Sequence, residues 1–193
     1  MRSDEDQDRR QFSEYFAARQ DVVRRTAYLM CGDWHWADDL TQSAFIRLAA
    51  GWHRIRDPQA VDAFVRTCLV RAYLSETRRM WRRRERPVAE PPDVAGADDD
   101  AEAATRRVVF ARALRQVPPR QRVTLVCRFY QGMDVAETAA VLGCSEGTVK
   151  SQTARGLATL REILGDAVTV AAPAWATEEA HDRRGGVVPG GGR

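Results

Sequence analysis

From Gln11 to Met30 the apolar residues Phe12, Tyr15, Phe16, Val22, Val23, Ala27 and Met30 recur at steps of three and four, the period of an amphipathic helix. Cys31-Gly32-Asp33 interrupts the pattern, and residues 1–10, MRSDEDQDRR, are expected to be a charged, loose lead-in. A second helix is expected from about Trp36 to Gly51, with Leu40, Ala44, Phe45 and Leu48 inward and with Asp38 and Asp39 in the first turn, where the helix dipole favours anions. Its outer face carries Asp39, Gln42 and Arg47, and Ile46 is stranded among them. After a connector, Asp57 and Pro58 suit the cap and first turn of a third helix reaching about Arg84. Ala60, Ala63, Phe64, Cys68, Leu69, Ala72, Tyr73 and Leu74 make its apolar side.

Residues 87–101, PVAEPPDVAGADDDA, hold prolines, a glycine and acids with no bulky apolar residue beyond two valines, the composition of a linker. Fully extended, they would span about 50 Å. Helical periodicity resumes near Glu102 with Val108, Val109, Ala111 and Leu114 and stops before Pro118-Pro119. Arg120 to Gln131 read as the next helix, with Val123, Val126, Cys127 and Tyr130 inward. In 134–163, Val135, Ala136, Ala139, Ala140 and Leu142 line one short helix, Gly143 can take the left-handed conformation that closes it, and Ser145 can cap a longer one. That last helix sets Val149, Leu157, Leu160 and Leu164 on one stripe. The expected fold is all-α. Two small helical domains, a three-helix bundle over 11–86 and a helix-turn-helix domain over 102–164, are joined by a flexible linker at 87–101, and a Gly-rich disordered tail follows from 165 to 193.

Charge sharpens this picture. The 193-residue chain carries a formal charge of only +3, yet Lys150 is its one lysine, so every other cation is a guanidinium able to grip phosphate with a planar fork. Six arginines fall within the nine residues 78–86, more than a helix C-terminus needs to match its dipole, and Trp81 among them offers a stacking face. Such a cluster suits nucleic acid; the plainer reading is a solvated basic face. Thr148, Lys150, Ser151, Gln152 and Arg155 give the last helix a face of hydroxyls, an amide and cations, the groups that reach base edges and phosphates from the second helix of a helix-turn-helix. The plainer reading there is a helical hairpin with a polar side.

Other chemistry is scarce. Cys31, Cys68, Cys127 and Cys144 form no CxxC pair and no histidine stands at ligand spacing, so buried reduced thiols are expected and no metal or cofactor. No paired acid and base or activated nucleophile marks an enzyme. No apolar run reaches the roughly 18–20 residues of a membrane span and the N-terminus has no signal-peptide pattern, so a cytoplasmic, nucleoid-associated protein without membrane insertion is expected.

Four motifs, in order, resemble the bacterial extracytoplasmic-function (ECF) sigma factors of the sigma-70 family, actinobacterial in phrasing. Ala37-Asp38-Asp39-Leu40-Thr41-Gln42-Ser43-Ala44-Phe45 resembles region 2.2, and Pro58 through Arg84 resembles regions 2.3 and 2.4. Leu114 through Arg122 resembles the start of region 4, and Leu142 through Ser151 its recognition-helix opening. The resemblance implies a factor that directs core RNA polymerase to promoters. Asp38, Asp39, Leu40, Gln42, Phe45 and Ile46 would dock on the β′ coiled coil, with region 4 near the β flap. Trp52, His53, Phe64, Arg66, Arg71 and Ser75 would surround unstacked bases of the −10 element, with Arg78, Arg79, Arg82 and Arg83 on phosphates. Ser145, Thr148, Lys150, Ser151, Gln152 and Arg155 would face the −35 element. Phe64 and Tyr73 can equally be core residues. Arg71 stands where many members carry Asn, Ser43 where Glu is frequent, and Gln152 where many have a basic residue. Whether an anti-sigma protein is a further partner is left open. The rival reading is a stand-alone helix-turn-helix regulator that dimerises and binds a palindrome without polymerase.

Overall fold

The computed structural model describes residues 2–55, 57–83 and 101–165; the linker expected at 87–101, apart from Ala101, and the tail expected at 165–193, apart from Gly165, lie outside it. Seven α-helices occur among the described residues: α1 (Arg2–Cys31), α2 (Trp34–Gly51), α3 (Pro58–Arg83), α4 (Ala101–Gln116), α5 (Pro119–Leu125), α6 (Val135–Leu142) and α7 (Glu146–Leu164). A 3-10 turn, Trp52–Arg54, follows α2, and a π-helical turn, Val126–Tyr130, extends α5. No strand occurs among the described residues.

Helix α1 begins at Arg2, so the charged lead-in is helical rather than loose. It ends where expected: Gly32 takes φ +78° and its N–H donates to the Tyr28 carbonyl at 2.7 Å. Asp33 then caps α2 by accepting from the Trp36 N–H at 2.8 Å, so the helix starts at Trp34 and Asp38 and Asp39 fall beyond its first turn. Trp34 stacks on Tyr28 with centroids 4.1 Å apart, fixing the angle between α1 and α2. Helix α3 is tied to α2 by the Trp36 indole N–H donating to Glu76 at 2.9 Å, and to α1 by Tyr15 and Arg19, which both donate to Asp62. Between the three helices lie Ala27, Met30, Leu40, Ala44, Leu48, Val65 and Leu69, all but sealed from solvent.

The inward face of α3 differs from the expected one. Val61, Val65 and Val70 are buried, whereas Ala60, Ala63 and Phe64 face solvent. Tyr73 is core at 1% exposure; Phe64, at 38%, is not. Along α1, Phe16 and Val22 also lie outside the core.

In the second half, Leu114, Val117, Val123, Leu125, Val126, Cys127, Leu157 and Leu160 pack where α4, α5 and α7 meet. Gly156 lets α7 approach α5 closely; a Cβ there would stand 3.0 Å from Leu125 Cδ1 and 3.3 Å from Gln121 Cβ. The expected helix 120–131 widens after Leu125, where the Gln131 N–H reaches back five residues to the Val126 carbonyl at 2.9 Å. This widening leaves Tyr130 half exposed instead of inward. On α6, Thr138 and Ala139 are buried while Ala136 and Ala140 are exposed, a rotation of the face expected from the alanines.

The two halves share one hydrophobic core. Helix α1 touches α4, α5 and the π-helical turn, and α3 touches α6.

Candidate functional site

The helix-turn-helix assembles as its residues dictate. Asp134 accepts from the Glu137 N–H at 2.7 Å while Glu137 accepts from the Asp134 N–H at 2.9 Å, a reciprocal cap that sets the start of α6. Gly143 closes α6 at φ +65°, and the Cys144 N–H donates to the Ala139 carbonyl at 3.1 Å. Ser145 starts α7 by accepting from the Thr148 N–H at 3.2 Å. Val149, Thr153, Gly156, Leu157 and Leu160 turn inward. At about 100° per residue, Thr148, Ser151, Gln152 and Arg155 cluster on the outer face. Lys150 is exposed but lies about 200° from Thr148, on the far flank of the helix. It does not share the outer face. The hydroxyls of Ser145 and Thr148 lie 2.9 Å apart and are engaged in the cap, so the uncommitted polar atoms on this face are those of Gln152 and Arg155. Ser151 donates to the Thr148 carbonyl at 3.0 Å.

On α3 the same geometry separates residues expected to act together. Phe64, Arg71, Ser75 and Arg78 fall within about 60° of one another and are exposed. Arg79 flanks them, also exposed. The helix continues to Arg83, but the side chains of Trp81, Arg82 and Arg83 lie outside the described residues. Arg66 departs from the group. It sits about 200° around the helix from Phe64 and donates to the Gln131 carbonyl at 3.3 Å, in the other half of the chain. Trp52 is also drawn inward, packed on Phe12 and Tyr15 with centroids 5.4 and 5.7 Å apart. His53 remains exposed next to it. Gly51 brings the end of α2 to Phe64, whose ring tip would lie 3.6 Å from a Cβ there. The exposed stripe therefore runs from His53 past Phe64 to Arg71, Ser75, Arg78 and Arg79.

A third surface is a groove of about 560 Å³ between α1 and α2. Asp38, Asp39, Gln42, Phe45 and Ile46 line its α2 wall. Leu40 does not: it is fully buried on the opposite side of α2 and supports the core. Truncating it would cost about 2–5 kcal/mol of stability rather than a contact. Ile46, at 61% exposure, is the most exposed large apolar residue here. Asp38 is held by the Arg24 guanidinium, with one of the two bonds at 3.1 Å, and this pairing raises the Arg24 pKa. The other wall comes from Phe12, Phe16, Gln20 and Arg24 of α1, a contribution sequence reasoning missed. Its signal was present: residues at strict four-residue steps advance about 40° each, so this row winds out of the core stripe onto the surface.

No group of histidine, cysteine or carboxylate side chains able to hold a metal occurs among the described residues. Cys31 and Cys127 are buried, which pushes their thiols up to about 11 and about 12. No helix among the described residues is long and apolar enough to cross a membrane.

Comparison with known proteins matches two family models in sequence: sigma-70 region 2 over residues 15–83 and sigma-70 region 4 over residues 107–160. The chain is 38% identical over 157 residues to the RNA polymerase sigma-E factor of Streptomyces avermitilis, covering 80% of this chain and 85% of that protein. It is 33% identical over 158 residues to the ECF RNA polymerase sigma factor SigM of Mycobacterium tuberculosis, covering 82% and 79%. Among solved structures, its fold is similar to the sigma factor RpoE crystallised with the anti-sigma factor NepR from Bartonella quintana, at TM-score 0.61 and 21% identity over 81% of this chain and 98% of that one. It is also similar to CnrH in complex with the cytosolic domain of CnrY, at TM-score 0.53 and 22% identity over 81% and 88%.

Proposed function

This chain belongs to the sigma-70 family, as an ECF RNA polymerase sigma factor that acts in transcription initiation, and from that premise we propose how its three surfaces divide the work. Region 2 corresponds to residues 11–86 and region 4 to 102–164. The α1–α2 groove takes the β′ coiled coil of core polymerase: Ile46 and Phe45 supply the apolar contact, and Asp39 and Gln42 the polar rim. Asp38 acts by holding Arg24 across the groove. The stripe His53, Phe64, Arg71, Ser75, Arg78 and Arg79, extended by Arg82 and Arg83, receives the −10 strand. Phe64 offers a face to an unstacked base and the arginines track phosphates. Duplex opening costs roughly 1–2 kcal/mol per stacked step, and these contacts offset it only where strand and polymerase are both in place.

On region 4, which sits near the β flap, Gln152 and Arg155 read base edges of the −35 element, Ser151 adds a hydroxyl, and Lys150 with the α7 N-terminus positions the backbone. The protein performs no bond chemistry of its own and works in the cytoplasm at the nucleoid, with core polymerase and promoter DNA as partners. The similar RpoE structure was solved with the anti-sigma factor NepR, and an anti-sigma protein is the corresponding candidate partner here.

The observation that carries this reading is the two separate basic and polar surfaces, α3 and α7, in one chain with an unfilled groove between α1 and α2. A palindrome-binding regulator would need neither the groove nor the α3 stripe. Run-off transcription with core polymerase and a pool of genomic fragments tests it: the chain redirects initiation to a defined set of start sites. If it binds duplex tightly and specifically alone and leaves polymerase start sites unchanged, the regulator reading replaces this one.

A further inference from the structure

We propose that Arg24 of α1 is a polymerase-docking residue, held ready by Asp38, Trp34 and Tyr28 as positioning residues, and that it binds a side-chain oxygen acceptor, carboxylate or carboxamide, on the docked polymerase helix; this rests on the groove reading above. The groove is graded along its length. Helices α1 and α2 run antiparallel along it, so Arg24 meets Asp38 at one end and Phe16 meets Phe45 at the other, with ring centroids 4.8 Å apart. Arg24 and Phe16 are eight positions apart, about 12 Å along the helix at 1.5 Å per residue. Phe12 and Ile46 extend the apolar end, and Asp21 and Asp39 belong to the polar end. A helix laid in this groove meets apolar surface and polar surface two turns apart, which fixes its direction and register.

Arg24 is immobilised before any partner arrives. Its Nε and Nη2 both donate to the Asp38 carboxylate, the second at 3.1 Å. Its Cζ lies 4.6 Å from the centroid of the Trp34 ring, within cation–π range. That ring in turn stacks on Tyr28, with centroids 4.1 Å apart and planes 14° from parallel. Tyr28 is buried, so the column Asp38–Arg24–Trp34–Tyr28 is anchored in the core. A free arginine loses rotamer entropy when it docks; here folding has already removed that freedom, so docking does not bear the cost.

One edge of the guanidinium is still open. Of its five N–H donors, Asp38 takes the Nε–Nη2 edge. The terminal edge, Nη1 with the second Nη2 hydrogen, has no hydrogen-bond partner among the described residues, and the side chain is 43% exposed. This edge presents parallel donors to an oxygen acceptor. Asp38 and Asp21 both act on Arg24 as countercharges, so recognition at this end rests on directed hydrogen bonds rather than on net charge. Both Asp38 oxygens are engaged by Arg24, and Asp38 therefore works through it.

The test measures affinity of the full-length chain for core polymerase in a double-mutant cycle of Arg24→Ala and Asp38→Asn. Arg24→Ala weakens binding about tenfold or more, the loss of a charged donor. Asp38→Asn alone weakens it about three- to tenfold, but added to Arg24→Ala it costs less than about twofold, because no guanidinium is left to hold. Arg24→Lys stays within about threefold of the alanine variant, since an ammonium keeps the charge and loses the planar fork. The half-exposed pair contributes little to stability, so each variant melts within about 2–4 °C of the parent by circular dichroism. Alanine replacement of each Asp, Glu, Asn and Gln on the docked polymerase helix then finds one whose loss weakens the parent about tenfold and leaves Arg24→Ala unchanged. Unchanged affinity in Arg24→Ala, losses from Arg24→Ala and Asp38→Asn that simply multiply, full affinity in Arg24→Lys, or no polymerase side chain coupled to Arg24 would each overturn the proposal. Binding lost in Ile46→Asp but kept in Arg24→Ala removes the role of Arg24 and leaves the groove reading standing, whereas a parent that never binds core polymerase sinks both.

Discussion

Replacing Gly143 with alanine tests the turn on which the helix-turn-helix depends. Gly143 sits at φ +65°, ψ +44°, in the left-handed region. A Cβ placed there would meet no atom within 4 Å, so the cost is backbone strain alone, about 1–2 kcal/mol. The alanine also stiffens the unfolded chain, which returns about 0.4–1 kcal/mol. The net expectation is a loss of about 1 kcal/mol. How far this moves the melting temperature depends on what unfolds with the turn. A free domain of 60–100 residues would shift by about 4–8 °C per kcal/mol, whereas a cooperative unit of 150–250 residues shifts by about 2–4 °C. Because the regions share a core, the smaller shift and a single transition are expected. Thermal and urea unfolding of the full-length chain, followed by circular dichroism, measure both quantities. Gly143→Asn should lose less, since asparagine tolerates the left-handed region better than alanine. An alanine variant as stable as the parent would mean residue 143 is not left-handed, and a loss above about 3 kcal/mol would mean it touches something the structure does not place there.

Arg155→Ala should weaken binding of polymerase holoenzyme to its −35 element by about 1–3 kcal/mol and relax the preference at one base position. Lys150→Ala should weaken all upstream sequences alike and reduce the salt slope by about one; competition binding at several salt concentrations separates the two, and a base-specific effect of Lys150 would contradict its place on the helix flank. Ile46→Asp should abolish co-purification with core polymerase while leaving the circular dichroism spectrum and melting temperature intact; retained co-purification would move the docking site away from the groove. Burial raises Cys31 to about 11 and Cys127 to about 12, above the unfolded thiol range near 9, so the stabilisation these thiols give is full below pH 9 and is lost as pH climbs toward 11–12. Between those limits stability should fall by up to about 1.4 kcal/mol per pH unit for each thiol, visible as a declining urea midpoint; alkylation in the folded state at neutral pH should favour the less buried Cys144.

Much of this molecule is local, and local features are legible in a linear string. Gly32 and Gly143 at helix ends, Ser145 as a cap and the leucine spacing of α7 act through neighbours a few residues away, so helix ends other than the start of α1 could be placed to within a few residues. The region 2.2 and helix-turn-helix motifs were legible for the same reason. Which face of a helix is useful was less so. Periodicity gives a stripe, but its width and edges depend on what packs against it: α3 is gripped from two sides, which buries Val70, gives Arg66 a partner in the Gln131 carbonyl and leaves Ala60 and Ala63 in water. The α1 wall of the groove, the commitment of Leu40 to the core and the clasp from Gln131 to Thr26 and Arg66 join residues as many as 105 positions apart. Such contacts form only when separate helices meet, and no pattern within one helix encodes them.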